Sequence, residues 1–375
     1  MKLKDVISTA DMERCGERTL PVLSMTMHDG IVLQAERFKK AIASKDLSSY
    51  KVVRRNQLVV SFPIDEGVLY IQDLVDAGIV SPAYAIWDIH ANMVYPRYLG
   101  MFLRSPRSIQ YYKSKLRGST ARRRTIPRDD FLCMELPEVS IAEQRKICTT
   151  LEKIKIVISE CEQQINRLGE IVKSRFVEMF NGGKYDECRV GEFCEVGSGK
   201  RVFAEEFKKQ GVPFFRGTEI AALSKKEFSA PLYYITEEHY KELAAHTGIP
   251  KVGDLLLPSI CEDGLVWRVD TDKPFYFKDG RVLWVKVPSS VDSEYLRFAL
   301  SDKLRTDYKR IASGTTFAEM KIINLRQVKI PLPPLALQRE FAAFVEKVDK
   351  LAFAARRRRD VARQLYRAKI QEFFG

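Results

Sequence analysis

No stretch of about 18 consecutive apolar residues, the least that would span a bilayer, occurs in the 375 residues of this sequence. The opening MKLKDVISTADMERCGE lacks the apolar core of a secretory leader. The seven cysteines are an odd count with no Cys-x-x-Cys pair, so free thiols in a reducing compartment are expected rather than a disulfide framework. Together these absences describe a soluble, cytoplasmic protein with no membrane partner.

Catalytic motifs are missing as well. GSGK (197–200) looks like the end of a phosphate-binding loop, yet its first glycine would fall on Cys194 and its magnesium-holding Ser/Thr on Arg201. A glycine-rich turn with two basic residues is the better reading. Cys188, Cys194, His239 and His246 lack the close-paired spacing of zinc ligands. LPPL (332–335) is not the Asp/Asn-Pro-Pro-aromatic motif of adenine methyltransferases, and no glycine loop with a downstream acid offers a nucleotide or S-adenosylmethionine site. Asp65-Glu66 and Glu262-Asp263 each precede a glycine and read as turns. No catalytic residue, no metal ligand and no cofactor of this chain's own is expected.

What the chain does have is a duplicated plan. LVVSFPIDEG (58–67) answers LLLPSICEDG (255–264), and YLGMFLRS (98–105) answers YLRFALSD (295–302), both at an offset of 197. RGSTARRRTI (117–126) answers SGTTFAEMKI (313–322) at 196, and AEQR (142–145) answers ALQR (336–339) at 194. A unit this long is a domain with an appendage, not a solenoid repeat.

The appendage is a helix. Ser140 with Glu143 makes a capping box. Ile147, Leu151, Ile154, Ile158, Cys161, Ile165, Leu168 and Val172 then alternate steps of four and three, the period of a coiled-coil seam. Asn181-Gly182-Gly183 is a good helix stop. About forty residues at roughly 1.5 Å each make a rod of about 60 Å. After IPLPP (330–334), Phe341, Phe344, Val348, Leu351, Ala355, Ala362 and Leu365 repeat the spacing, with Arg358 on the stripe. The two rods would pair antiparallel, since a folded domain lies between them; the alternative is that each packs on its own domain. The segments before each rod are mixed α/β: GDLLLPSI (253–260) and VLWVKVP (282–288) read as strands, and 295–312 as a helix. The expected division is 1–136, 137–182, 183–334 and 335–375. The expected architecture is α/β (α+β), with two globular domains in pseudo-twofold arrangement and two long helices in an antiparallel coiled coil.

Net charge is +13 with a pI of about 9.3, which favours a polyanionic partner. From Arg97 to Arg128 there are ten basic residues and no acidic one, with Tyr95, Tyr98, Tyr111 and Tyr112 interleaved. Nucleic acid is favoured over a plain solvated face, because a solvated face normally mixes signs. Arg356 to Arg359 form a second cluster that would be solvated, touch phosphates or pair with a partner's acids.

With the repeat, the rods and these motifs together, the chain resembles the specificity subunit of Type I restriction–modification enzymes over essentially its whole length. The resemblance is carried by IPLPPLALQREFAAFVEKVDKL (330–351), its degraded twin LPEVSIAEQRKICTTLEKI (136–154), and VGEFCEVGSGKRVF followed by VPFFRGTEI. The first copy departs from the pattern: it lacks the double proline, and its Gly-Ser-Thr loop runs on into three arginines. The resemblance implies that each globular unit is a target recognition domain reading half of a split, asymmetric site in double-stranded DNA. It implies that the helices set the gap and dock two methyltransferase subunits, through which restriction subunits join. S-adenosylmethionine, ATP and Mg would sit on those partners, and this chain would do no chemistry.

On that reading Arg117, Ser119, Thr120, Arg122, Arg123 and Arg124 contact DNA in the first domain. Gly314, Thr315 and Thr316 do so in the second, with Lys200, Arg201, Arg216 and Thr218 as further candidates. A helix-capping turn is the alternative for the two Gly-Ser/Thr-Thr loops. Ile147, Leu151, Ile154, Ile158, Ile165, Leu168, Phe341, Phe344, Val348 and Leu351 form the coiled coil and partner-docking set. Rival readings are the specificity subunit of a two-component Type II enzyme, an architectural coiled-coil protein that binds DNA without sequence preference, and an enzyme with a hidden nuclease site.

Overall fold

The computed structural model describes residues 1–375 except 28, 38–45, 117–125, 181–184, 229 and 313–317. The chain divides into two compact units, Met1–Gln164 with Ala355–Gly375, and Ile165–Ala354. Each unit takes a piece of both long helices.

In the first unit the strands β1 (Ile7–Thr9), β2 (Leu58–Val60), β3 (Leu69–Ile71) and β4 (Ala85–Ile89) form one antiparallel sheet in the order β1-β4-β2-β3. In the second, β5 (Glu195–Ser198), β6 (Leu255–Pro258), β7 (Trp267–Arg268) and β8 (Val282–Lys286) repeat that order as β5-β8-β6-β7. The pairing is shared: Leu58 stands opposite Trp87, and its counterpart Leu255 opposite Val285, both pairs facing the core that takes in the long helices. The duplication read from the sequence is therefore a duplication of topology. The strand-like runs at 253–260 and 282–288 are β6 and β8. The turns at Asp65-Glu66 and Glu262-Asp263 end in Gly67 (φ 78°) and Gly264 (φ 66°), a left-handed backbone that suits glycine. At Gly264 a Cβ would also come within 2.3 Å of the Ser301 carbonyl oxygen.

The helical parts differ in one instructive way. The first unit has α1 (Pro96–Leu103) and α2 (Pro106–Lys115), broken at Ser105, whose Oγ accepts from the Ser108 amide at 3.3 Å. Pro106 cannot donate to the preceding turn, so a new helix starts there. The matching position in the second unit is Lys303, and α5 (Ser293–Ile311) runs unbroken for 19 residues. Between the copies lie α3 (Ile141–Phe180) and, in the second unit, α4 (Gly217–Ser224); α6 (Leu335–Phe374) closes the chain. The 40-residue α3 and α6 are the two rods. Ser140 Oγ accepts from the Glu143 amide at 3.3 Å, while the Glu143 carboxylate sits 3.3 Å from Lys146. The helix stop read at Asn181-Gly182-Gly183 lies outside the described residues.

The apolar stripes of α3 and α6 meet inside each unit. In the second, Leu168, Val172, Phe176 and Phe180 share one core with Phe341, Val345, Val348 and Ala352. In the first, Ile147 and Leu151 share a core with Phe374, while Lys155 lies over the Tyr366 ring at 5.5 Å and Glu162 pairs with Arg363 at 2.7 Å. Residue numbers fall on α6 as they rise on α3, so this pairing is antiparallel. The α3 stripe is Ile147, Leu151, Ile154, Cys161 and Leu168 buried, with Ile158 and Ile165 half-buried.

On α6 the expected stripe needs correction. Leu351 is 56 % exposed and Leu365 is exposed, whereas Ala352 is 5 % exposed. The seam passes Phe341, Val345, Val348, Ala352, Ala355 and Ala362, with Phe344 half-buried beside it. Leucine attracted the assignment by its hydrophobicity, but small alanines occupy the close-approach positions. The stripe also passes Arg359, which pairs with Asp360 at 2.8 Å, rather than the exposed Arg358.

Candidate nucleic-acid interface

In each unit one stretch of sequence holding expected DNA contacts follows a helix of the domain core. In the first unit it follows α2 and Leu116; in the second it follows α5 and Ala312. Arg117, Ser119, Thr120, Arg122, Arg123 and Arg124, and likewise Gly314, Thr315 and Thr316, lie outside the described residues. What the structure describes is how their stems are held. In the first unit the Tyr111 hydroxyl donates to the Asp130 carbonyl at 2.7 Å, and the buried Tyr112 hydroxyl donates to the Leu103 carbonyl at 2.9 Å. In the second, the Tyr308 hydroxyl lies 2.9 Å from the Ser259 carbonyl and 2.8 Å from that of Ala318, and accepts from the Cys261 amide at 3.3 Å. Both stems are fastened by tyrosine to the sheet or to the segment that follows.

The basic run of the first domain resolves into distinct roles. Arg107, Lys113 and Lys115 are exposed on α2. Arg97 pairs with Glu152 at 3.3 Å, Arg104 lies over the Tyr70 ring at 4.4 Å, and Arg128 donates to Thr9 Oγ1 at 2.6 Å while lying 5.4 Å from the Trp87 ring centroid. The interleaved tyrosines are not a stacking surface. Tyr98 and Tyr112 are fully buried core residues, because their spacing follows the inner faces of α1 and α2. Tyr95 carries Arg145 over its ring at 4.4 Å.

Of the further candidates, Lys200 and Arg201 are exposed on the loop after β5. That loop is rigidly seated. The Lys200 amide donates to the Tyr276 hydroxyl at 2.7 Å, and a Cβ on Gly199 would stand 2.5 Å from the Phe277 carbonyl oxygen. Arg201 lies over the ring of exposed Phe203 at 5.1 Å. GSGK is the end of a strand. Arg216 and Thr218 converge instead on Glu219, with the Arg216 guanidinium at 3.0 Å and the Thr218 hydroxyl at 2.9 Å. Burial alone would raise the Glu219 carboxyl, but hydrogen bonds from the Arg216 side chain, the Arg216 amide and Thr218 outweigh it and hold the group below the usual range. Arg216 also covers the Tyr233 ring at 4.6 Å. Arg216 immediately precedes α4 and Thr218 lies in its first turn, and both side chains are held by Glu219, so their geometry is that of a structural anchor.

The chain's own reactive groups are quiet. All seven cysteines are free. Burial pushes the Cys148 thiol up to about 11 and those of Cys194 and Cys261 up to about 12, which keeps them protonated. Among the described residues no three His, Cys, Asp or Glu side chains gather as metal ligands, and no helix is long and apolar enough to cross a membrane.

Sequence reasoning missed a pair of buried glutamines. Gln144 Oε1 accepts from the Tyr95 amide at 2.7 Å and its Nε2 donates to the Val139 carbonyl at 2.8 Å. Gln338 repeats this on the Asp292 amide at 2.8 Å and the Pro333 carbonyl at 2.7 Å. Each ties the start of a domain helix to the start of the long helix that follows it. The shared Gln-Arg of AEQR and ALQR was visible; its burial was not. The far end of each long helix packs on the same kind of surface. Phe180 sits against Tyr295 at 4.8 Å, and Phe374 against Tyr98 at 5.3 Å. The two tyrosines differ: the Tyr295 hydroxyl donates to the Pro331 carbonyl at 2.6 Å, whereas the Tyr98 hydroxyl is buried without a partner among the described residues.

Residues 183–361 match the family model described as the Type I restriction modification DNA specificity domain. A Haemophilus influenzae protein named as a type I restriction enzyme specificity subunit is 27% identical over 167 residues, 43% of this chain and 40% of that relative. The Type I restriction enzyme MjaVIII specificity subunit of Methanocaldococcus jannaschii is 23% identical over 294 residues, 69% of this chain and 66% of that relative. The chain thus spans less than two thirds of either curated relative. Among solved structures, the type I restriction–modification S subunit from M. genitalium is 12% identical with a TM-score of 0.58, over 100% of this chain and 95% of that one. A chain from a structural study of complex assembly and conformational transition in the type I R-M system is 17% identical with a TM-score of 0.59, over 100% of this chain and 96% of that one. At such identities the structural likeness speaks for the fold.

Proposed function

We propose that this chain, which matches the Type I restriction modification DNA specificity domain over residues 183–361, is a specificity subunit that reads a split, asymmetric double-stranded DNA site. Residues 1–136 and 183–334 act as two target recognition domains, and 137–182 and 335–375 act as spacers that fix the gap. The observation that carries this is the repeated sheet order, joined to unlike sequences at matched positions. One frame used twice, with Arg122 to Arg124 in one copy of the sequence and Gly314 to Thr316 in the other, suits two different half-sites. Rods of about 60 Å can span half-sites roughly one turn of DNA, about 34 Å, apart.

Arg117, Ser119, Thr120 and Arg122 to Arg124 take the DNA in the first domain. Gly314, Thr315 and Thr316, with Lys200 and Arg201, take it in the second. Arg216 and Thr218 support the second surface through Glu219. The paired helices dock two methyltransferase subunits, and restriction subunits join through them. S-adenosylmethionine, ATP and Mg act on those partners, while this chain supplies recognition and geometry and works in the cytoplasm.

A salt titration tests the DNA contact. Each phosphate neutralised contributes a slope of about 0.9 in log K against log[salt]. Replacing Arg122, Arg123 and Arg124 by Ala should weaken duplex binding and flatten that slope by about 2 to 3. An unchanged slope would remove the loop from the interface.

A further inference from the structure

The two copies differ in charge where each domain helix meets the long helices. In the second unit this junction is closed from within. Arg297 Nε donates to both oxygens of Glu294 at 3.0 Å, and Arg268 approaches the same carboxylate at 3.3 Å. Asp349 on α6 adds its field to Arg297 and pairs with Lys226 at 2.9 Å. Beside them Phe298 packs on Phe176 and Phe341, with ring centroids at 4.9 Å and 5.3 Å.

At the matching positions of the first unit stand Arg97 for Glu294, Gly100 for Arg297, Met101 for Phe298, Lys155 for Asp349 and Ile370 for Phe176. The arginine plug is absent, and the two charges that would face it have reversed sign. A cleft of about 930 Å³ remains among β3, α1 and the long helices. Two of its carboxylates are already engaged, Glu152 with Arg97 at 3.3 Å and Asp29 with Arg37 at 3.3 Å. Arg104, Lys155 and Arg367 face the cleft with no carboxylate partner among the described residues, against Asp73 alone. Arg104 and Lys155 are steadied by stacking over Tyr70 and Tyr366. The remaining wall is largely apolar, including Leu74 and Met101.

We infer that this cleft seats an acidic, partly apolar segment of a partner protein, its carboxylate filling the place that Arg297 fills in the second unit. Duplex DNA is too broad and convex to enter such a cleft, and its phosphates would leave the apolar wall exposed. The two units are then unequal docking sites, one self-sealed and one open. This rests on reading the chain as the docking platform for modification subunits, since such a subunit supplies the segment.

The test mixes the full chain with the modification subunit of the same system and follows binding by titration calorimetry and sedimentation. The wild type should take two copies. Lys155→Glu with Arg367→Glu should weaken one binding event by at least about ten-fold and leave the other unchanged. Arg104→Glu, a single exposed change, should weaken the same event and serves if the double variant misfolds by circular dichroism. Wild-type affinity for both copies in the folded variants would overturn the cleft assignment, as would equal weakening of both events. Loss of DNA affinity with docking intact would give the cleft to the DNA path and overturn it too. No binding by the wild type would instead refute the docking platform itself, and the cleft's occupant with it.

Discussion

Replacing Gln338 by alanine should destabilise the second unit by about 3–5 kcal/mol, because two neutral hydrogen bonds go at roughly 1 kcal/mol each and a buried polar group left unpaired costs about 1–3 more. The side chain is 1 % exposed and bonds both the Asp292 amide and the Pro333 carbonyl. Asp292 is itself the cap of α5, accepting from the Glu294 and Tyr295 amides, so the loss falls where the domain helix starts. Urea unfolding followed by tryptophan fluorescence suits this, since Trp267 and Trp284 both lie in the second unit. With a slope of about 3 kcal/mol/M, the upper end of the range as befits a unit of this size, the midpoint should fall by about 1–2 M. Two companions sharpen the test. Gln338→Leu keeps the volume but satisfies neither partner, and should cost nearly as much as alanine. Gln338→Glu keeps the acceptor but turns a bare oxygen on the Pro333 carbonyl unless it is protonated. Its carboxyl should therefore be raised in the folded protein, so that the variant is least stable at neutral pH and recovers as the pH falls. A midpoint shift below about 0.3 M for the alanine variant, or a leucine variant as stable as wild type, would refute the clamp.

Tyr98→Phe should be neutral or stabilising and Tyr295→Phe destabilising by about 1 kcal/mol, because the first hydroxyl is buried unpartnered and the second donates to the Pro331 carbonyl; thermal melts of the two variants decide it. The Glu219 carboxyl lies below the usual range when folded. Its contribution to stability is present above the ordinary glutamate value of about 4.3 and is lost as the pH falls through the lower folded value, so Glu219→Gln should flatten the acid limb of a stability–pH curve. Leu351→Ala should change stability by less than about 0.5 kcal/mol and Ala352→Leu should cost about 1–3 kcal/mol by overpacking the seam; the reverse order in denaturant melts would restore Leu351 to the core.

The duplication was legible because both copies keep landmark residues in order, and matched sheets follow. The α3 stripe was legible because its branched apolar residues repeat strictly. The α6 seam was misread at Leu351 because alanine at position 352 is a weak apolar signal but fills a close-approach site. Tyr98 and Tyr112 resembled part of a nucleic-acid surface because basic neighbours surround them in sequence, whereas helical phase turns them inward. Arg216 and Thr218 looked free because their partner, Glu219, belongs to the same short motif and its burial depends on α4 packing over β6 and β7. Strand order was beyond sequence reasoning, since each sheet joins β1 to β4, or β5 to β8, across more than 75 residues. The exchange of Gly100 for Arg297 was in plain view in YLGMF and YLRFA, but its meaning required the neighbouring charges.

The claim that two unlike domains of one chain read two halves of a single site is tested most directly by mapping methylated adenines genome-wide with and without this gene. A split motif of two different halves around a fixed gap, vanishing on deletion, is the predicted result. An unsplit motif, or methylation unchanged by the deletion, would contradict the account.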